Sequence, residues 1–444
     1  MTGREFDSLP STWTRAAIGD LTEGKVGQEG PQRDTAFTYV DISSIDRATK
    51  RITDPKELPV RDAPNRARQR LKAGDVLVSM TRPNLNAVAL LPASLDGSIG
   101  STGFDVLRTS KIDPRWLFYF VQTTPFIEAM SARVQGALYP AVRPKDIRSY
   151  SIPVAPLPEQ HRIIEVIEGS FTRIDAAVRA LKRVRMNLSR YMASVVKVAC
   201  EDSRTKFPSR AGSLASFSET ITKGATPTSY GHSFTETGPL FVKVESLDGK
   251  VIRHDWCAHI SLQTNAFLLR SQLRSGDLLY SIAGTLGRTA IVRPEDLPAN
   301  TNQAVAIIRP KPGLEPQYLR IVMNGPGIRT AKDQNKRGVG LSNLNLEQLR
   351  QIPLRVPPIQ IQREIVVEVE KQTSFAEEVA RETEVGLKRC DRLRQAILRM
   401  AFEGRLVRQD SNDDPASALL ERFTSKRTET PRTASRWGRT ASMG

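Results

Sequence analysis

The sequence matches itself. Sliding the 444-residue chain along its own length brings Tyr39-Val40 onto Phe241-Val242, Ser44-Ile45-Asp46 onto Ser246-Leu247-Asp248, and GDVLVSM from Gly74 onto GDLLYSI from Gly276, an offset of 202 residues. Further on, Pro114 meets Pro316, Trp116-Leu117 meets Tyr318-Leu319, Pro156 meets Pro358, and Gln160 meets Gln362. Only the first forty or so residues need a shorter offset, about 198, where Leu9-Pro10-Ser11 meets Phe207-Pro208-Ser209. A duplication of this extent constrains the fold before any motif is considered, because whatever one half builds the other must build again. The chain reads as a tandem of two similar halves with a tail from about residue 405.

Within each half the character changes at a proline-rich hinge. Before it, short β-branched or alternating runs such as Thr38 to Ile42, Asp75 to Met80, Leu240 to Val244 and Ala290 to Val292 are punctuated by Gly, Pro, Asn and Asp. That pattern predicts strand-rich mixed domains. After SIPVAPLPEQ and IPLRVPPIQIQ, about 42 residues follow with no proline and one glycine each, which predicts long helices. In the first, Ile164, Ile167, Phe171, Ile174, Val178, Leu181, Leu188, Met192, Val195 and Ala199 recur at three-and-four spacing, a coiled-coil seam. Val366, Val369, Leu387, Ile397 and Ala401 mark the second seam, interrupted by Thr373, Thr383 and Arg394. The expected boundaries are a domain over 1–158, a helix over 159–202, a domain over 203–361, a helix over 362–404, and a tail over 405–444, largely disordered from about 425. The fold class is α+β: two similar strand-rich mixed domains separated by two long antiparallel coiled-coil helices, a pseudo-twofold tandem repeat. Forty helical residues span roughly 60 Å, too long for the interior of a small domain, so the helices read as spacers.

Charge narrows the partner. With 65 Lys+Arg against 48 Asp+Glu the chain carries +17, which points to a polyanion. The excess lies mainly in the globular parts: 21 basic and 17 acidic side chains over 1–158, and 20 against 11 over 203–361. Basic runs in the first are Arg61, Arg66, Arg68, Arg70 and Lys72, then Arg82 with Asn84 and Asn86, then Tyr139 with Arg143 and Lys145. The second offers Lys332, Gln334, Asn335, Lys336 and Arg337, followed by Ser342 and Asn343, with Arg288 in the loop matching Asn86. Lysine and arginine bind phosphate, while Arg, Lys, Asn and Gln also pair with guanine and adenine edges. Any one of these residues can equally be solvated surface. As a set they favour double-stranded DNA.

Catalytic motifs are missing from the sequence: no GxxxxGKS/T, HExxH, GxSxG or strand-borne GxGxxG occurs, and nothing resembles an amino-methyltransferase signature. His254, Cys257 and His259 are close in sequence but lack a second ligand pair at structural zinc spacing, so no metal site is expected. Asp248-Gly249-Lys250 lies between two apolar runs and reads as a hairpin turn. The three cysteines, Cys200, Cys257 and Cys390, are odd in number and far apart, which favours a reducing compartment. A polar start and no run of about 18 apolar residues disfavour secretion and membrane insertion, so a cytoplasmic location is expected.

Two strand-rich domains, each ending in an IPxxPPxxQ-like hinge and a long helix closing on Ala199-Cys200-Glu201 or Ala401-Phe402-Glu403-Gly404, resemble the specificity (S) subunit of Type I restriction-modification systems. Leu9-Pro10, Gly74-Asp75 and Pro156-Leu157-Pro158-Glu159-Gln160 in the first half carry the likeness, with Phe207-Pro208, Gly276-Asp277 and Pro357-Pro358-Ile359-Gln360-Ile361-Gln362 in the second. It covers residues 9 to about 407. The departures are Ile361 where the first hinge has Glu159, and a first helix that ends without glycine. The resemblance implies that each domain is a target recognition domain reading half of a bipartite DNA sequence. The helices would set the unread gap and dock two methyltransferase (modification) subunits. It also implies no catalytic residue and no cofactor in this chain: S-adenosylmethionine, and ATP with Mg, would belong to partner methyltransferase and restriction/translocase subunits. Two rival readings are a stand-alone DNA-modifying enzyme and a coiled-coil adaptor between proteins.

Overall fold

The computed structural model describes residues 8–31, 36–134, 140–205, 207–325 and 344–421. Two compact units divide the chain, and their composition is not the simple tandem of the sequence. One unit joins residues 1–180 to 386–444, and the other holds 181–385. The first long helix, Leu157–Thr205, and the second, Ile359–Phe402, each begin in one unit and end in the other. Among the described residues no helix is long and apolar enough to cross a membrane.

In the first unit, strands Phe104–Leu107, Val76–Ser79 and Val88–Leu90 form an antiparallel sheet in that order. A mixed sheet runs Lys56–Pro59, Ala36–Val40, Ile99–Ser101, Ala67–Arg70, with the 36–40 and 99–101 strands parallel. Val76 and Val78 face a core with Trp116, Phe120 and Ile147, while Leu77 faces another with Val40, Phe104 and Leu91. Burial on both faces is why VLVS is continuously apolar rather than alternating.

The second unit rebuilds this sheet. Leu278–Ser281 lies between Val305–Pro310 and Thr289–Ile291, and Leu278 with Tyr280 faces one core while Leu279 faces the other. Strand Phe234–Val242 runs parallel to Ala299–Thr301, as 36–40 runs to 99–101. In each unit a short pair, Thr14–Ala17 with Ser151–Val154 and Arg210–Ser213 with Pro353–Val356, closes the domain beside its hinge.

Repeated residues do repeated work. Gly74 and Gly276 take φ of +85° and +86°, a left-handed conformation that favours glycine. Asp75 and Asp277 follow, buried, each paired at 2.7 Å with Arg108 or Arg309 and each accepting a backbone N–H at 2.8 Å, from Lys72 and Arg274. The hinge glutamines are both fully buried. Gln160 donates to the Ala155 carbonyl and accepts from Asp113 N; Gln362 donates to the Pro357 carbonyl and accepts from Glu315 N. Each thereby ties the start of a long helix to the start of a short one, Pro114–Phe120 or Pro316–Met323. Trp116 Nε1 donates to the Pro153 carbonyl, and the Tyr318 hydroxyl donates to the matching Arg355 carbonyl, so the bond survives an exchange of side chain.

The helices run antiparallel within each unit. In the first, Arg394 pairs with Asp175 and stacks over Phe171, while Leu398, Ala401 and Phe402 reach the core that holds Ile163, Ile164 and Ile167. In the second, Tyr191 donates to Gln372, and Val195 and Ala199 join the core containing Val366 and Val369. Ile174 is buried, and Phe171, Val178, Leu181, Leu188, Leu387 and Ile397 are half-buried. Thr383 lies buried in the second helix with its hydroxyl bonded to the Val379 carbonyl, so it does not interrupt packing. Residues 405–421 fold onto the first unit. Arg162 pairs with Asp413 at 2.7 Å, and Glu159, which has no counterpart in the second hinge, accepts from Trp13 Nε1 and Gln409 Nε2.

Candidate nucleic-acid interface

Backbone hydrogen bonds gather the first domain's basic segments along one rim. Thr102 N donates to the Arg66 carbonyl, Met80 N to Gly103, Val142 N to Met80, and Arg82 N to Pro140, all at 2.8–2.9 Å. Arg66, the 81–86 loop and the 140–145 segment therefore lie within a few strand spacings of one another, each about 4.8 Å. Arg68 and Arg70 continue from Arg66 on the outward face of strand Ala67–Arg70, where Ala67 and Gln69 point inward. Lys72 is exposed just beyond, and the Arg61 side chain is 86% accessible. Arg143 pairs with Asp146 at 3.2 Å and leads into the short helix Pro144–Arg148, leaving Lys145 exposed. Tyr139 lies outside the described residues.

The 81–86 loop holds the least comfortable backbone. Arg82 and Asn86 take φ of +49° and +44°, which costs a side-chain-bearing residue on the order of 1–2 kcal/mol. The corresponding loop of the second half has glycine at both places, Gly284 at +70° and Gly287 at +79°. Arg82 and Asn84 are exposed, but Asn86 is buried and committed. Its amide nitrogen donates to the Val121 carbonyl at 2.7 Å, and its side-chain oxygen accepts from Lys50 Nζ at 2.9 Å. Asn86 thus fastens the loop from a buried position that keeps its amide from solvent. Lys50, which nothing in the sequence marks as half-buried, also donates to the Asn86 carbonyl. Burial pushes its ammonium down to about 8, against the pull of Asp46, with Arg394 and Arg47 lowering it further.

Equivalent bonds define the rim of the second domain: Ile282 N donates to Ala304, and Leu344 N to Ile282. Lys332, Gln334, Asn335, Lys336, Arg337, Ser342 and Asn343 lie outside the described residues. Arg288 needs a correction. The strand registers pair Val78 with Val88 and Tyr280 with Thr289, so the second loop is one residue shorter and Arg288 matches Ala87, not Asn86. Ser79 N and Ser281 N confirm this register by donating to the carbonyls of Ala87 and Arg288. Arg288 is half-buried, with a 3.4 Å bond to the Glu245 carbonyl.

The histidines and cysteine considered for metal have separate partners. His254 Nε2 lies 2.7 Å from Asp296, Cys257 donates to the Arg253 carbonyl, and His259 Nδ1 lies 2.9 Å from the Gly238 carbonyl. Asp248-Gly249 is a turn, with Gly249 at φ +108° and Leu247 bridged to Ile252.

Residues 257–377 match the profile of the Type I restriction modification DNA specificity domain. The specificity subunit of the Type I restriction enzyme EcoBI from Escherichia coli is 26% identical over 339 residues, covering 70% of this chain and 71% of that protein. A chain from a structural study of complex assembly and conformational transition of the type I R-M system superposes with a TM-score of 0.76 at 27% identity, covering 90% of this chain and all of that one. The HsdS subunit from Thermoanaerobacter tengcongensis superposes at 0.55 with 26% identity, covering 90% of this chain and 98% of its own.

Proposed function

We propose that this chain, which belongs to the specificity subunits of Type I restriction-modification systems, directs its complex to DNA by reading a bipartite sequence, one half with each globular domain. The observation that carries the reading is the rim of the first domain, where Arg66, Arg82 and Arg143 come from separate segments yet are joined by consecutive backbone hydrogen bonds. Outward arginines on strand Ala67–Arg70 supply phosphate affinity. Arg82 and Asn84, at the tip of a strained loop, are the candidates for base edges. In the second domain the proposal rests on Arg288 and on the segment from Lys332 to Asn343.

The long helices set the unread spacer and dock two methyltransferase subunits. An apolar groove of about 510 Å³ in the second unit, lined by Val195, Val198, Ile361 and Ile365, offers one such surface. Catalysis lies with partners: methyl transfer from S-adenosylmethionine in the methyltransferase subunits, and ATP- and Mg-dependent translocation and cleavage in restriction subunits. The missing cofactor motifs in the sequence support this, and so does the commitment of the rim to cations and amides rather than nucleophiles. A cytoplasmic site of action follows from the substrate.

The test is co-expression with the methyltransferase subunit of its own system, followed by mapping of methylated bases. A bipartite methylated sequence is expected. Arg82→Ala should relax one half only, and a one-turn insertion after both Arg179 and Arg381 should lengthen the accepted spacer by about one or two base pairs. A chain that methylates or cuts DNA alone would overturn the assignment.

A further inference from the structure

The second unit carries an exposed apolar surface that its basic segments do not explain. Tyr230, Phe267 and Leu269 are 56%, 57% and 71% exposed. Contiguous exposure of large apolar side chains marks a binding surface more often than an accident. The two aromatic side chains are also held in place. The Tyr230 and Phe267 rings meet edge-on at 5.6 Å, and the His232 ring lies 4.8 Å from Phe267. His232 Nδ1 in turn lies 3.1 Å from the hydroxyl of Thr264, on the helix Leu262–Phe267 that Ser261 caps. A rigid aromatic pair loses little freedom on binding.

Two observations say what the surface meets. First, it continues the rim: Tyr230 ends the turn Pro227–Tyr230, which follows Thr226, and the Thr226 hydroxyl bonds Gln303 beside the Ala304 carbonyl of the rim. Second, cations lie close to it along the chain: Lys243 Nζ stands 5.2 Å over the ring of Phe234, two residues beyond His232, and exposed Arg270 follows Leu269. An apolar centre with a cationic border complements a DNA groove, where phosphates edge a floor on which thymine alone presents a methyl group.

We propose that Tyr230, Phe267 and Leu269 read thymine C5-methyl groups in the half-site of the second domain, with Lys243 and Arg270 on the neighbouring phosphates. The inference rests on the DNA-recognition reading above, and it assigns an apolar code to one domain where the other uses arginine and asparagine.

The experiment uses the assembled complex with its methyltransferase subunits and a DNA duplex whose half-sites have been mapped by methylation. Each thymine of the second half-site is replaced in turn by deoxyuridine, which removes only the methyl. At one or more positions binding should weaken roughly fourfold, the worth of one buried methyl-sized group. The Phe267→Ala complex should bind thymine and deoxyuridine duplexes alike at that position, and Phe267→Leu should restore part of the difference. Deoxyuridine without effect throughout the half-site, or a half-site without thymine on either strand, overturns the proposal. So does a Phe267→Ala complex that keeps its full preference for thymine but loses a protein subunit, which would give the surface to a protein. Failure of the DNA-recognition reading looks different: the unaltered complex would then methylate no defined sequence.

Discussion

After the matched strands Lys56–Pro59 and Ala258–Ile260, the two halves of the chain part company. Residues 60–70 form a short turn and a strand that faces outward with Arg66, Arg68 and Arg70, whereas 262–271 form a helix and a turn that expose Leu262, Phe267 and Leu269. Both segments then return to the same Gly-Asp turn with its buried Asp–Arg pair. Several interior bonds are duplicated pairwise, while one stretch of exterior changes secondary structure, charge and polarity together. Such a scaffold can accept a new recognition surface without altering what holds it up.

The sharpest test of the common interior is the buried ion pair. Asp75→Ala and Asp277→Ala each leave an arginine unpaired in a largely buried site and should cost about 3–5 kcal/mol. Denaturant unfolding should give similar losses for the two; a loss confined to one half would break the equivalence. Phe402→Ala should cost about 3 kcal/mol or more, because its ring is fully buried at 4.7 Å from Trp116 and 5.0 Å from Phe120. That loss belongs to the first unit alone, because the first helix has Cys200 at the position matching Phe402. On the exterior, replacing Arg66, Arg68 and Arg70 by alanine should reduce the slope of log affinity against log salt by about 2–3, while Leu262→Ala with Leu269→Ala should leave it unchanged. Equal slopes in both variants would erase the contrast.

Smaller effects sharpen the loops. Arg82→Gly should stabilise the first domain by up to roughly 1 kcal/mol while relaxing sequence preference in its half-site, since it removes left-handed strain together with a side chain proposed to read a base. Gly284→Arg should show the opposite sign. The faintest signal is the pH response of Lys50. Its folded pKa of about 8 lies below the ordinary 10.5, so between those values the unfolded chain binds more protons and stability from this group rises with pH. Lys50→Met should flatten that rise in thermal unfolding measured from pH 7 to 10.

Much of the fold was legible because its determinants are local or duplicated. Gly74-Asp75 and Gln160 recur at one offset because each occupies a turn or cap that admits few substitutes. The seam of Ile164 and Ile167 was readable from spacing alone. Thr383 and Arg394 looked like interruptions because sequence does not reveal that a hydroxyl can bond its own helix or that a guanidinium can lie across Phe171. The loop of Arg288 slipped by one residue because a deletion between two strands leaves both strand patterns intact. At the proposed interface, basic runs marked segments that the fold gathers on one rim, but not that Asn86 is buried while Arg82 and Asn84 are exposed. The apolar surface escaped notice because exposed and buried phenylalanines are spelled alike, and only its replacement of an arginine strand marks it.

The division of the chain into units also has a consequence in time. Residues 181–385 are contiguous, so the second unit can complete itself as it leaves the ribosome. The first cannot, because Trp116 and Phe120 receive Phe402 only after some 280 further residues have been made. At about 5–20 residues per second that delay is roughly 15 to 60 s. Throughout it the domain synthesised first keeps an aromatic face open to water, and the half that begins the protein is the last to be finished.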